Sequence, residues 1–305
     1  MQIAGNSIIL EVEDSGAGEF GAQRPAVLLI MGLGMQLIAW PGALVQGLLD
    51  AGYRVLRFDN RDAGLSQHLD HLGQPNVLWE SLKHKLGFKP RSSYTLADMA
   101  EDALAVLDAL HLKSAHVVGV SMGGMIAQRV ALAAPDRVLT LTSIMSSSGA
   151  AGLPQAQPKV LRALLGRPGG KGERAVVEHL TKLFNAIGSP DFQTPQNELR
   201  TLITTQVQRS YSPAGTLRQL LAVVSDTGRA NELAAIRCPT LVLHGKHDPL
   251  VPYACGADTA RRIAGARLVG LEGMGHDLPS PVVNWLLGEL IPFLKQADSG
   301  PMPAP

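Results

Sequence analysis

Three residues of this chain have the types and the order that acyl chemistry on a serine requires. Ser121 lies in Gly119-Val120-Ser121-Met122-Gly123, Asp248 in His244-Gly245-Lys246-His247-Asp248-Pro249, and His276 in Gly273-Met274-Gly275-His276. A serine hydroxyl is a weak nucleophile at neutral pH. It needs a base to take its proton, and the base needs a carboxylate to hold its tautomer and stabilise its charged form. Glycines two residues either side of the serine leave room for the backbone to fold sharply around it. The pentad alone carries little weight, because a chain with this Gly and Ser content shows about 0.2 such matches by chance. The elements around it decide its meaning.

Ala115-His116-Val117-Val118-Gly119-Val120 is an apolar, β-branched run of the kind a buried parallel strand needs. Met122, Met125, Ile126, Gln128 and Val130 follow among alanines, so a helix begins at the serine and ends before Pro135. Such a helix offers free backbone N–H groups where an oxyanion would form. Thr240 to His244 is an apolar strand that opens into the loop with Asp248, and Arg267 to His276 supplies the next strand and the glycine-flanked His276. His244 and His247 are poorer bases, since both precede or accompany the acid in one loop. Asp277 reads as a local hydrogen-bonding residue rather than the acid.

Further runs at Ala26–Ile30, Arg54–Phe58, Val138–Ser143 and Ala266–Val269 complete a βα alternation, which implies a mostly parallel sheet with helices on both faces. Ser7 to Val12 reads as an antiparallel edge strand. Between Ser148 and about Glu232 the alternation stops and helix-like stretches take over at Pro158–Leu165, Arg174–Ile187 and Asn197–Arg209, with a flexible loop over Gly166–Gly172. The expected organisation is a core in two parts, 1–148 and 232–305, with a helical cap over 149–231 and a disordered Pro-rich tail from Ser299 to Pro305.

Gly119-Val120-Ser121-Met122-Gly123-Gly124, His244-Gly245-Lys246-His247-Asp248-Pro249-Leu250-Val251-Pro252 and Gly273-Met274-Gly275-His276 together resemble the α/β-hydrolase superfamily. The resemblance covers the chain apart from the cap and tail. It implies a sheet of about eight strands, a cap inserted after strand 6, and a cofactor-independent serine hydrolase with the triad Ser121, Asp248 and His276. It also implies an oxyanion hole built from the backbone N–H groups of Met122 and Leu33, the latter by matching Gly32 to the family glycine. Many relatives carry His-Gly where this chain has Met31-Gly32, a departure that keeps the backbone donor and leaves open what supports the loop. Asp59-Asn60-Arg61-Asp62-Ala63-Gly64-Leu65-Ser66 resembles a segment that is architectural in the superfamily, so Asp59 and Arg61 are expected in a buried polar network. With Met31 to Gly34 and Trp40-Pro41, it is most similar to the branch containing aclacinomycin methylesterase.

Within this fold, serine at 121 argues against the dehalogenases and epoxide hydrolases, which use an aspartate nucleophile. Carbon–carbon bond hydrolases, lactonases and perhydrolases keep the same triad and remain alternatives, as does a non-catalytic ligand-binding homologue. A carbon–carbon hydrolase of acidic substrates would want a basic contact, for which Arg162, Arg209 and Arg218 are available, though surface placement is the expectation for all three. Phe184, Phe192 and Tyr211 are pocket candidates that read more simply as cap core.

Composition bounds the rest. With 46% hydrophobic and 17% charged residues the chain reads as globular, and 27 Lys plus Arg against 26 Asp plus Glu give no charge excess toward nucleic acid or an anionic membrane. The two cysteines, Cys238 and Cys255, cannot build a secreted disulfide framework and are expected as reduced thiols. Met1 to Asn6 lacks a charged segment followed by an apolar block, so the cytoplasm is the expected compartment. Ala26 to Leu49 holds no charge, yet Gly32, Gly34, Pro41 and Gly42 divide it into strand, loop and helix rather than a membrane span. No Walker-type loop or full dinucleotide fingerprint occurs. The expected partner is a small-molecule ester, with no cofactor, metal, nucleic acid or membrane, and the chain acting as monomer or homodimer.

Overall fold

Val27, Leu28, Leu29 and Ile30 have no exposed surface, a burial that a strand reaches inside a sheet covered on both faces. They belong to one of eight strands: β1 (Gln2–Ala4), β2 (Ile9–Ser15), β3 (Ala26–Ile30), β4 (Arg54–Phe58), β5 (Ala115–Val120), β6 (Val138–Ile144), β7 (Thr240–Gly245) and β8 (Arg267–Leu271). The computed structural model describes residues 1–18, 24–86, 88 and 90–300. In it the strands form one sheet in the order β1-β2-β4-β3-β5-β6-β7-β8. β3 to β8 run parallel to one another, and β2 is antiparallel to both β4 and β1.

The edge assignment for Ser7–Val12 is corrected. Ser7 adopts φ 61° in a turn closed by the Gly5 N–H donating to the Ile8 carbonyl at 2.7 Å, so the strand starts at Ile9. It lies inside the sheet, because the three residues of β1 pair on its outer side. Three residues are too few to show the period-2 alternation that marks a strand in sequence.

The pleat sends alternate side chains to two cores. Leu28 and Ile30 face a cluster built with helices α3 (Leu96–Ala109) and α4 (Met122–Ala133), while Val27 and Leu29 face α1 (Gly42–Asp50) and α11 (Ser280–Asp298). Leu286, Leu290 and Leu294 are fully buried at helical spacing on α11, each contributing about 1.5–3 kcal/mol by leaving water. α2 (Val77–Lys85) lies between β4 and β5 in sequence, and α10 (Tyr253–Arg262) covers β7 and β8. Ala26–Leu49 divides as expected into β3, a loop with a 3-10 turn at Leu37–Ala39, and α1. Among the described residues no helix is long and apolar enough to cross a membrane.

Four helices fill the insertion after β6: α5 (Pro158–Leu164), α6 (Glu173–Ile187), α7 (Gln196–Arg209) and α8 (Pro213–Ser225), followed by the single turn α9 (Arg229–Glu232). The sequence signals reach α5, α6 and α7 but not α8. Pro213 and Gly215 look like loop residues, yet Pro213 occupies the first helical position, where no N–H is needed, and Ser212 caps the Gly215 N–H at 3.1 Å. Of the tail expected from Ser299 onward, Ser299 still closes α11 through its N–H to the Lys295 carbonyl, and residues 301–305 lie outside the described residues.

Candidate active site

β5 is buried along its whole length between β3 and β6 and delivers Ser121 at its C-terminal end. Ser121 has φ 56° and ψ −121°, a combination that L-residues rarely adopt and that costs about 1–3 kcal/mol. The surroundings hold it there. Its N–H donates to the Ile144 carbonyl at 2.9 Å, and its own carbonyl accepts from Gly124 N–H at 2.9 Å and from Ser146 Oγ at 2.7 Å. Gly119 and Gly123 are required by closeness: a Cβ on the first would overlap the Gly123 carbonyl, and one on the second the Ile30 carbonyl.

Asp248 follows β7, and its Oδ1 accepts the N–H groups of Leu250 at 2.9 Å and Val251 at 2.8 Å. Its Oδ2 accepts from His276 Nδ1 at 2.6 Å, and His276 Nε2 lies 3.0 Å from Ser121 Oγ. This geometry assigns the ring tautomer: Nδ1 donates to the carboxylate and Nε2 is free to accept the serine proton. Burial pushes the Asp248 carboxyl up, but the attraction and hydrogen bond of His276, with His244 Nε2 3.6 Å from Oδ2, outweigh it and hold the pKa at about 2. The acid is therefore ionised throughout the neutral range.

Neither His244 nor His247 bonds to Ser121. His244 is fully buried with Nε2 2.7 Å from the Val251 carbonyl, and His247 Nδ1 accepts the Gly273 N–H at 3.0 Å. Asp277 bonds to Ser189, whose Oγ and N–H donate to Oδ1 at 2.5 and 3.0 Å. Burial raises its pKa, although those bonds and the neighbouring His276 oppose the rise. The same Ser189 Oγ accepts the Gly275 N–H at 2.9 Å, and the His276 N–H donates to the Ile187 carbonyl at 2.7 Å. The insertion thus clamps the loop of the base, through residues that no sequence signal singled out.

Met122 begins α4 beside Ser121, and Leu33 lies in the loop after β3. The loop comes against the serine, since a Cβ on Gly32 would stand 3.1 Å from Ser121 Cβ. Neither the Met122 N–H nor the Leu33 N–H has an acceptor among the described residues. The loop that lacks the familiar histidine is supported in other ways. Asn60 Nδ2 donates to the Met31 carbonyl at 2.9 Å, and the carboxylate of Asp59 accepts from Leu37 N–H at 2.7 Å and Leu65 N–H at 2.8 Å.

Asp59 and Arg61 sit in the expected buried network: Arg61 pairs with both oxygens of Asp102 at 2.6 and 2.8 Å. Burial raises the pKa of Asp59 against the opposing backbone and Arg209 bonds. The placements of Arg209 and Arg218 are corrected. Arg209 Nη1 donates to Gln36 Oε1 and Asp59 Oδ2, both at 2.7 Å, and Arg218 is 1% exposed in a two-pronged pair with Asp62 at 2.8 and 2.6 Å. Each satisfies a buried carboxylate that surface placement would leave bare. Arg162 is exposed, as expected.

Ser121 and His276 open into a cavity of about 1920 Å³ between the sheet's loops and the insertion. Its apolar walls include Met35, Leu183, Leu199 and Leu202. Phe184 and Tyr211 line it too, contrary to the cap-core reading, whereas Phe192 packs against the core beside α11. A cavity of 300–1,000 Å³ suffices for a drug-sized ligand, so this one has room for a bulkier molecule. Among the described residues no group of three or more His, Cys, Asp or Glu side chains is arranged to hold a metal ion. Cys238 and Cys255 are free thiols, and burial pushes Cys238 up to about 11, away from reactivity.

Residues 25–279 match the family described as the alpha/beta hydrolase fold. Rhodomycin D methylesterase DauP of Streptomyces sp. (strain C5) is 32% identical over 281 residues, covering 84% of this chain and 86% of that one. Rhodomycin D methylesterase DnrP of Streptomyces peucetius is 31% identical with the same coverage. Among solved structures, the enol-lactonase from Burkholderia xenovorans LB400 superposes with a TM-score of 0.72 at 21% identity, covering 97% of this chain and 100% of that one.

Proposed function

Because the chain belongs to the α/β-hydrolase family, we propose that it is a cofactor-independent serine hydrolase of carboxylic esters, favouring the methyl ester of a bulky acid. The supporting observation is the relay in which Ser121 Oγ stands 3.0 Å from His276 Nε2 and His276 Nδ1 2.6 Å from Asp248 Oδ2. Ser121 attacks the ester carbonyl as His276 takes its proton, and the Met122 and Leu33 N–H groups hold the oxyanion. The tetrahedral intermediate collapses, His276 returns the proton to the departing alcohol, and water repeats the sequence to free the acid. Two relatives are methylesterases by name, and the large cavity suits a small alcohol on a large acyl group.

Arg162, Arg209 and Arg218 do not line the cavity, but Lys159, Arg167 and Lys171 do, so a carbon–carbon hydrolase of acidic substrates keeps a basic contact and is separated by the substrate assay. The test is hydrolysis of p-nitrophenyl esters of increasing acyl size, and of methyl esters of polycyclic acids, by wild type and Ser121→Ala. Turnover that rises with acyl bulk and vanishes in the variant supports the reading; equal activity in both proteins removes Ser121 as nucleophile.

A further inference from the structure

The loop that carries Leu33 is gripped from above by α8. Gly34 N–H donates to Gln219 Oε1 at 2.7 Å, and Gln219 Nε2 donates to the Arg61 carbonyl at 2.8 Å. Gln219 has no exposed surface, so both ends of its amide are committed and no water competes for them. One helical turn earlier on the same face, Thr216 closes over Gly34, which has φ 67° and no space for a Cβ. Its neighbour Arg218 locks α8 to the Asp62 loop.

These contacts pin the turn that carries Leu33 at both ends. Gly32 rests against Ser121, and the Met35 N–H donates back to the Gly32 carbonyl at 3.2 Å, which closes the loop into a turn. Gly34 N–H is committed to Gln219, while the Leu33 N–H, in the same turn beside Ser121, has no acceptor among the described residues.

On the reading that the protein is a serine hydrolase, we propose that Gln219 is the positioning residue of its oxyanion hole. The insertion therefore supplies part of the catalytic geometry as well as the roof of the cavity. Gln219 touches no reacting atom; it acts through Gly34 on Leu33. In this chain it takes the supporting place that the Met31 position does not fill.

The test uses the full chain with three substitutions, active sites being counted by fluorophosphonate labelling of Ser121. Gln219→Met fills the space and removes both bonds. It is expected to lower kcat per labelled site about 10- to 100-fold with little change in KM, the scale of a misplaced oxyanion donor. Affinity for a trifluoromethyl ketone, which Ser121 Oγ adds to while the carbonyl oxygen becomes an oxyanion, should fall by the same factor. Affinity for the matching methyl ketone, which forms no adduct, should hold within about 2-fold. Gln219→Glu retains an acceptor for Gly34 and, held neutral by burial, a donor for the Arg61 carbonyl, and should recover part of the loss. If the Met variant does not fold, Gln219→Asn, one methylene short of Gly34, carries the same readout.

Unchanged kcat and ketone affinity per labelled site, even with reduced stability, would overturn the positioning role and leave the hydrolase reading intact. A wild-type protein that neither labels nor hydrolyses any ester would overturn both.

Discussion

Ser121, the proposed nucleophile, and the two loops beside it are held by different regions of the molecule. Ser121 is fixed from below, by the Ile144 carbonyl and Ser146 in the sheet and by glycine contacts with β3. The oxyanion loop and the loop of His276 are fixed from above, by Gln219, Ser189 and the Ile187 carbonyl of the insertion. The sheet therefore stores the strain that exposes the serine, while the helices over it register the groups the serine must meet.

The largest test of this division is Ser121→Ala. It leaves both sets of contacts in place and removes the nucleophile, so ester turnover should fall by about 10⁵-fold or more with unchanged circular dichroism. Loss of folding along with activity would mean that the serine side chain, rather than its backbone, holds the turn.

The joint between the regions is next. Arg218 and Asp62 are each no more than 1% exposed, and their paired bonds hold α8 on the loop beneath. Burial pushes the Asp62 pKa up, but the hydrogen bonds from Arg218 and the Leu69 N–H overcome it and lower the value. Arg218→Met leaves that carboxylate buried and unpaired, and should cost about 3–5 kcal/mol in urea unfolding. Adding Asp62→Asn, which tolerates the positive φ of 67° at that position, should restore much of the loss. A single variant as stable as wild type would show that the insertion is held by other means.

The acid arm sharpens the same contrast by pH. Asp248 titrates at about 2 instead of 3.8, so the folded chain binds fewer protons than the unfolded chain between those values. The pair's stabilisation is complete above about pH 4 and is lost as pH falls through about 2, a difference near 2 kcal/mol. Urea unfolding at pH 5 and pH 2 should show a loss about 2 kcal/mol larger in wild type than in Asp248→Asn. Equal losses in both would place the acid sensitivity elsewhere, with Asp258, also lowered below its ordinary value, as the next group to examine.

What could be read in the sequence follows this division too. Ser121, Asp248 and His276 each stand just beyond an apolar strand run, so local pattern and chain order bring them to one end of a sheet. Leu33 needed the family resemblance, because its donor is backbone and any residue type supplies it. Gln219, Ser189 and Gln36 had no signal. Their bonds run from a side chain to backbone N–H or carbonyl groups 86 to 185 residues away, and neither spacing nor periodicity records such a pairing. α8 was hidden by the Pro213 and Gly215 that start it, and β1 by its brevity. The polar character of Arg218 suggested a surface that its buried pairing with Asp62 contradicts.

The smallest expected effect lies in the clamp on the base. Ser189 Oγ accepts from Gly275 N–H and donates to Asp277, while the Ser189 N–H holds Asp277 independently at 3.0 Å. Ser189→Ala removes the hydroxyl and leaves that second bond, so the His276 loop should loosen without detaching. An unmet buried N–H at Gly275 costs about 1–3 kcal/mol of stability. The rate should fall by about 10-fold, mainly in kcat, as the ring drifts from the serine. If stability falls and kcat per labelled site does not, His276 is held by Asp248 and the Ile187 carbonyl alone. The insertion would then act on the base only through the Ile187 carbonyl and not through Ser189.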